Sequence, residues 1–252
     1  YFFPNGKSVK AGDVLVNKKL AGVYRSIATK GIDVFYQGWI AKKIVEKVQG
    51  ASISPGLLSL DDMAAYQAKE RQAVCGKYRD YNVCGMAPPS SGGVAVIQIL
   101  AQLQRFDLAK YQPNSVEALH LYTQSARLAF ADRNRYIADA DFVSVPTSGL
   151  IEPSYLAKRS LLIDPNKDMG KASAGKPTKA IALADDSAIE RPSTSHLSII
   201  DGQGNAVSMT SSIENGFGSA LMVEGFIRTK YGNLNALSFR KNNNHLKEDE
   251  LI

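Results

Sequence analysis

Residues 194–212, "TSHLSIIDGQGNAVSMTSS", leave the backbone little choice. Two runs alternate apolar with polar side chains, which is the period of a half-buried strand. Leu197 and Ile199 share one face of the first run. In the second, Val207, Met209 and Ile213 share one face, and Ala206, Ser208, Thr210 and Ser212 share the other. Between the runs, "DGQG" is a turn signal. The segment is therefore expected to be a β-hairpin. Pairing Ile200 with Asn205 closes a four-residue loop and sets Thr194 opposite Ser211 and close to Ser212. The open end of the hairpin then gathers hydroxyl groups.

A hydroxyl is a weak nucleophile until a base takes its proton. A Ser-His-Asp arrangement needs a histidine, and the chain has His120, His196 and His245. His196 lies two residues from Thr194 along the strand, on the same face, but no third member is evident. The alternative base is the chain itself. Cutting the Ser193–Thr194 bond would free an α-amine on Thr194 with a pKa of about 8, able to serve its own hydroxyl. The approach to that bond, "DPNKDMGKASAGKPTKAIALADDSAIERPS", is rich in Ala, Lys, Gly, Pro and Ser and reads as a surface loop or tether. A hydroxyl-rich edge hairpin with no chemistry is the plainer reading of the same residues.

Upstream, residues 17–49 read as helices. Leu20, Val23, Tyr24 and Ile27 recur at helical spacing before Gly31. Phe35, Trp39, Ile40 and Ile44 do so before Gly50. Ser59 and Asp62 resemble a capping box. "VAVIQILAQL" after "PPSSGG" is apolar all round and reads as a buried helix. Its Ser- and Gly-rich start is read as a cap and turn rather than an anion site. In "SVEALHLYTQSARLAFADRNRYIAD", Ser115 caps a long helix whose inner face is Ala118, Leu121, Tyr122, Ser125, Leu128 and Ala129. His120 reads as a packed or surface side chain, and Asp132, Arg133 and Arg135 as candidates for ion pairs.

Cys75 and Cys84 lie in "AVCGKYRDYNVCG", two short strands around "KYRD". Either a cross-strand disulfide or two small buried apolar side chains fits. No CxxC occurs, so a zinc site is not expected. The net charge of +6 is spread among interleaved acids, without an arginine-rich stripe, so nucleic acid is not an expected partner. No apolar run approaches the ~20 residues of a membrane-spanning helix. The chain opens without Met and reads as a segment of something longer.

Three motifs in order, "PPSSGG", "ADRNRYIADADFVSVP" and "TSHLSIIDGQGNAVSMTSSIENGFGS", resemble the gamma-glutamyltransferase family of N-terminal-nucleophile hydrolases. "KAGDVLVNKKLA" and the stretch from "DDMAAYQ" to "PPSSGG" are similar to that family's large subunit. The resemblance implies an α+β fold, part of a four-layer αββα sandwich. It implies that residues 1–193, with a tether at 165–193, end a large subunit. Residues 194–226 begin a small one, and 227–252 is a tail in which no family motif is legible. Cleavage between Ser193 and Thr194 would expose Thr194 as nucleophile. Ser212 matches a hydroxyl that bonds the nucleophile, and Thr210 another hydroxyl of the same strand. The implied reaction is transfer of a gamma-glutamyl group from glutathione or a similar amide to an amino acid, a peptide or water. No metal or organic cofactor is implied. Members typically reside in the periplasm or are secreted, which suits a Cys75–Cys84 disulfide.

Three departures qualify the resemblance. Glu214 stands where an Asn commonly contacts the substrate's α-amino group, and a carboxylate also holds an ammonium. This feature resembles the acylase branch, so a glutaryl or cephalosporin-type acylase is the alternative reading. Residues 227–252 match no further substrate contact. The family's carboxylate-gripping Arg and paired oxyanion glycines have no counterpart here. Since loss of one oxyanion donor costs about 2.7–4 kcal/mol of transition-state stabilisation, the chain alone is expected to turn over little, as an inactive fragment would.

Overall fold

The computed structural model describes residues 3–181, 194–213, 218–227 and 234–240, with the backbone alone described for Asn5, Ile227 and 234–240. In chain order the helices are α1 (Lys18–Lys30), α2 (Asp33–Tyr36), α3 (Trp39–Gln49) and α4 (Leu60–Ala65). The hairpin β1 (Val74–Tyr78) and β2 (Tyr81–Gly85) follows, then α5 (Gly92–Leu103), α6 (Val116–Tyr136), α7 (Thr147–Leu150) and α8 (Pro153–Ser160). The strands β3 (Thr194–Ile200), β4 (Ala206–Ser212), β5 (Met222–Val223), β6 (Phe226–Ile227) and β7 (Leu234–Arg240) complete a mixed α+β chain. Among the described residues a three-stranded sheet has the order β3-β4-β7, so β4 is central. The chain divides into two compact units.

The first unit takes in residues 1–69, 191–195 and 211–235. Asn17 starts α1, because its Oδ1 accepts the Leu20 N–H at 3.0 Å and relieves one of the unpaired first-turn donors. Gly31 ends it. The expected second helix is broken into α2 and α3. Gly38 is extended at φ −93° and ψ −154°. A Cβ on it would sit 2.7 Å from the Val34 carbonyl oxygen, so the chain turns where the periodicity alone would continue. Helix α4 has the full capping box: Ser59 Oγ accepts the Asp62 N–H, and Asp62 Oδ2 accepts the Ser59 N–H. The Ser59 hydroxyl bond holds the Asp62 carboxyl below its usual range.

The core of this unit joins Val23 of α1, Ile40, Ala41, Ile44, Val45 and Val48 of α3, Met63 of α4 and Val223 of β5. Each fully buried Ile or Val side chain contributes about 1.5–3 kcal/mol. The turn between β5 and β6 is fastened to α1, where Asn17 Nδ2 donates to the Gly225 carbonyl at 2.6 Å. Gly225 has φ +87°, and a Cβ there would lie 2.8 Å from the Leu20 nitrogen. Gly225→Ala is accordingly expected to cost about 1–3 kcal/mol, read as a lowered urea midpoint with unchanged slope.

The second unit takes in residues 70–190, 196–210 and 236–252. In its first hairpin Cys75 pairs with Cys84 across β1 and β2. The Cα atoms are 4.1 Å apart and the sulfurs are joined. Helix α5 begins at Ser91, whose hydroxyl makes no cap bond and instead accepts from Arg133 Nε at 3.2 Å. The helix is buried except on one side, where Val96 is 47 % exposed. Ser115 caps α6 through the Ala118 N–H. The inner face of α6 differs from the expected one by a small rotation: Gln124, Asp132 and Tyr136 are buried with Leu121, Ser125, Leu128 and Ala129, while Tyr122 is exposed. Gln124 turns inward because it grips the next segment, with Oε1 accepting the Met169 N–H and Nε2 donating to Asp168. His120 is half-buried, its Nε2 at 2.8 Å from the Asp164 carbonyl.

Residues 165–181 carry no helix or strand. Their backbone is nevertheless pinned. Arg159 donates to the Ser173 carbonyl at 2.9 Å, and Tyr136 to the Gly175 carbonyl at 2.7 Å. The Gly175 N–H reaches Asp132 at 2.8 Å. Thr178 Oγ1 donates to Glu152 at 2.9 Å. Ser193, Glu214, residues 182–192 and most of 227–252 lie outside the described residues.

Candidate active site

Strands β3 and β4 form the expected hairpin, but its loop has three residues rather than four. The Asp201 N–H donates to the Asn205 carbonyl, and the Gly204 N–H to the Asp201 carbonyl, each at 3.0 Å. Gly204 takes the left-handed conformation, φ +79°. This is the three-residue hairpin loop with a glycine at its αL position. The Asp201 carboxylate fills the turn: Oδ1 accepts the N–H groups of Gln203 and Asn205, both at 2.9 Å, and Oδ2 accepts Asn205 Nδ2 at 2.7 Å. Those bonds, the Asn205 amide first, hold its carboxyl below the usual range.

The shorter loop moves every cross-strand pair by one residue. Thr194 Oγ1 donates to Ser212 Oγ at 3.2 Å, so Ser212, not Ser211, is its hydroxyl partner. The observed register also keeps like side chains together on each face. A slip of one residue sends each side chain to the wrong face. The observed register sets Thr194, His196 and Ser198 against Ser212, Thr210 and Ser208, and leaves Leu197 and Ile199 to meet Met209 and Val207. The four-residue loop would instead set His196 against Met209 and Leu197 against Ser208. Strand β3 is exposed throughout and β4 is half-buried.

His196 bonds hydroxyls rather than Thr194. Its Nδ1 is 2.8 Å from Thr210 Oγ1, and its Nε2 is 3.1 Å from Ser208 Oγ and 3.2 Å from Ser198 Oγ. Both ring nitrogens are thus engaged, and among the described residues no carboxylate orients the ring. A Ser-His-Asp relay is not assembled here. Nor is there, among the described residues, a cluster of His, Cys, Asp and Glu able to hold a metal ion. No described helix is long and apolar enough to cross a membrane. What the hairpin offers is a threonine hydroxyl at the start of a strand, hydrogen-bonded to a serine on the neighbouring central strand. Glu214 and Ser193, singled out in the sequence, lie outside the described residues.

Asp132, a candidate for an ion pair in the sequence, makes one, and stands at the centre of a buried polar cluster. Asp132 is fully buried on α6. Its Oδ1 meets Arg159 Nη2 at 3.2 Å, while its Oδ2 accepts Tyr155 Oη at 2.7 Å and Gln98 Nε2 at 3.3 Å. Burial, and then the Asp132 bond, push the Tyr155 phenol well above its usual range. The sequence signal was its position: Asp132 stands four residues beyond Leu128 and four before Tyr136, on the apolar stripe.

The sequence profile of the Gamma-glutamyltranspeptidase family matches residues 1–248. The glutathione hydrolase proenzyme of Escherichia coli is 38% identical over 221 residues, 88% of this chain and 36% of its own length. The chain therefore spans a little over a third of that curated relative. The crystal structure of Helicobacter pylori gamma-glutamyltranspeptidase is 35% identical with a TM-score of 0.65, covering 75% of this chain and 53% of that one. A cephalosporin acylase from Bacillus halodurans, 25% identical, matches with a TM-score of 0.75 over 90% of this chain and 38% of its own. With its profile matched almost end to end, this chain belongs to the gamma-glutamyltranspeptidase family.

Proposed function

We propose that this chain carries the processing junction and the nucleophile of a gamma-glutamyl hydrolase and transferase. The observation that carries the reading is the 3.2 Å bond from Thr194 Oγ1 to Ser212 Oγ at the first residue of β3. In the first step Thr194 Oγ attacks the Ser193 carbonyl carbon, the peptide nitrogen leaves with a proton, and water hydrolyses the resulting ester. A large and a small subunit result, and Thr194 gains a free α-amine. That amine, with an unperturbed pKa of about 8, then takes the hydroxyl proton as Oγ attacks a gamma-glutamyl amide. The leaving amine departs with that proton and an acyl ester remains. Water or the amine of an amino acid or peptide releases the acyl group, giving its proton to the same α-amine. No cofactor enters the scheme.

Ser212 has the role of fixing the rotamer of Thr194, and Thr210 that of anchoring the neighbouring rung. Glu214 is assigned to the substrate's ammonium group. The four-layer αββα sandwich is the architecture this reading adopts. It is supported by the mixed helix and strand content and by the likeness to the H. pylori enzyme. A periplasmic or secreted location is supported by the joined Cys75 and Cys84, since disulfides persist in oxidising compartments.

The test is the intact mass and N-terminal sequence of the purified chain. Two fragments, the second beginning at Thr194, are expected, and a single chain of 27.3 kDa after prolonged incubation would overturn the reading. Ser212→Ala provides a graded check. A neutral hydrogen bond is worth about 0.5–1.5 kcal/mol, so its loss is expected to slow cleavage roughly three- to tenfold without stopping it.

A further inference from the structure

We propose that Asp201 is a positioning residue for cleavage at Thr194, acting from the opposite end of the hairpin by fixing which serine faces the nucleophile. The inference rests on the reading of Thr194 as nucleophile. Two registers compete for this hairpin. A four-residue loop places Ser211 opposite Thr194, and a three-residue loop places Ser212 there. Side-chain chemistry near Thr194 discriminates little, because both candidates are serines. The choice is made at the turn.

There the Asp201 carboxylate accepts the N–H groups of Gln203 and Asn205 and the Asn205 side-chain amide. An aspartate that bonds backbone two residues on mimics a turn and biases the chain toward it. The Asn205 contacts, backbone and side chain, are specific to the short loop, because they require Asn205 to stand across from Asp201. With Gly204 at φ +79° the loop closes after three residues. Each rung then follows in sequence: Ser198 and Ser208 meet at one edge of His196, Thr210 lies across from His196, and Ser212 lies across from Thr194. A turn residue seven positions from the nucleophile thereby sets the nucleophile's partner. Small misplacements matter because attack requires the reacting atoms about 3–3.5 Å apart and aligned, and an error of about 1 Å is enough for a hundredfold loss.

The experiment compares cleavage and register in the full chain. Register is read by disulfide trapping and intact mass: Ser198→Cys with Ser208→Cys reports the observed pairing, and Ser198→Cys with Val207→Cys the slipped one. In the otherwise unsubstituted chain the 198–208 pair is expected to crosslink and the 198–207 pair to stay reduced. Asp201→Ala is expected to slow cleavage at least tenfold and to transfer crosslinking to the 198–207 pair. Asp201→Asn keeps an oxygen for the two N–H groups and is expected to cleave within threefold of the parent. Cleavage of Asp201→Ala within twofold of the parent overturns the proposal, as does slow cleavage with 198–208 crosslinking unchanged. Slow cleavage by Asp201→Asn with the parent's crosslinks overturns it too. If the parent chain itself is not cut, the nucleophile reading fails, and the crosslinks still decide whether Asp201 sets the register.

Discussion

Thr194→Ala is expected to leave the chain whole, and the unsubstituted chain to yield two fragments meeting between Ser193 and Thr194. The substitution removes the attacking oxygen and nothing else of size, since Thr194 is an exposed residue at the start of β3. Loss of a nucleophile is among the largest single-residue effects in acyl transfer, so cleavage should fall by at least about a thousandfold. Thr194→Ser keeps both the hydroxyl and the future α-amine and is expected to cleave within about tenfold of the parent. His196→Ala separates this mechanism from a histidine-based one. If His196 were the base, its removal would be as damaging as loss of Thr194. Because its ring nitrogens are engaged by Thr210, Ser208 and Ser198, the expected loss is that of a supporting rung. Neutral hydrogen bonds of that kind are worth about 0.5–1.5 kcal/mol each, a factor of roughly ten rather than a thousand. Quantifying uncut chain by mass over a time course reads all three variants in one assay.

The hairpin was legible because apolar and hydroxyl side chains alternate over most of both runs, on either side of a turn signal. Its register was not, because "DGQG" admits two loop lengths, and the choice rests on a carboxylate reaching two backbone N–H groups and one amide. The split between α2 and α3 was hidden for a similar reason. The apolar period runs through Gly38, and only the approach of Val34 shows that no continuous helix fits there. On α6 the stripe was read mainly from apolar residues, so Tyr122 was placed inside and Gln124 was not counted on that face. Gln124 is buried by a partner some forty residues along, which periodicity does not report. The 165–181 segment shows the same limit. Its composition describes a loop, and its anchors at Asp132, Tyr136, Glu152 and Arg159 all come from other elements. Local chemistry was readable from the chain; long-range polar partners were not.

Those partners make Asp132→Ala the most destabilising single change expected in the second unit. The side chain of Asp132 is 1% exposed and that of Arg159 7%, so truncation strands a buried guanidinium. Arg159 Nη2 keeps the Leu128 and Ser173 carbonyls, but these do not neutralise its charge, and its Nε has no hydrogen-bond partner among the described residues. The phenol of Tyr155, the amide of Gln98 and the N–H of Gly175 lose their acceptor together. Breaking one side of a buried ion pair costs about 3–5 kcal/mol, which for a chain of this length corresponds to a drop in Tm on the order of 10 °C. The double variant Asp132→Leu with Arg159→Met separates the charge from the rest. Replacing a whole buried pair by apolar groups is often neutral, so the part of the loss due to the stranded charge should return. The part due to the Gly175 N–H should not, because that donor still faces a hydrocarbon. Recovery to the parent Tm would mean that Asp132 answers Arg159 alone. Partial recovery, with faster amide exchange at residues 173–178, would mean that the carboxylate also holds that segment in place.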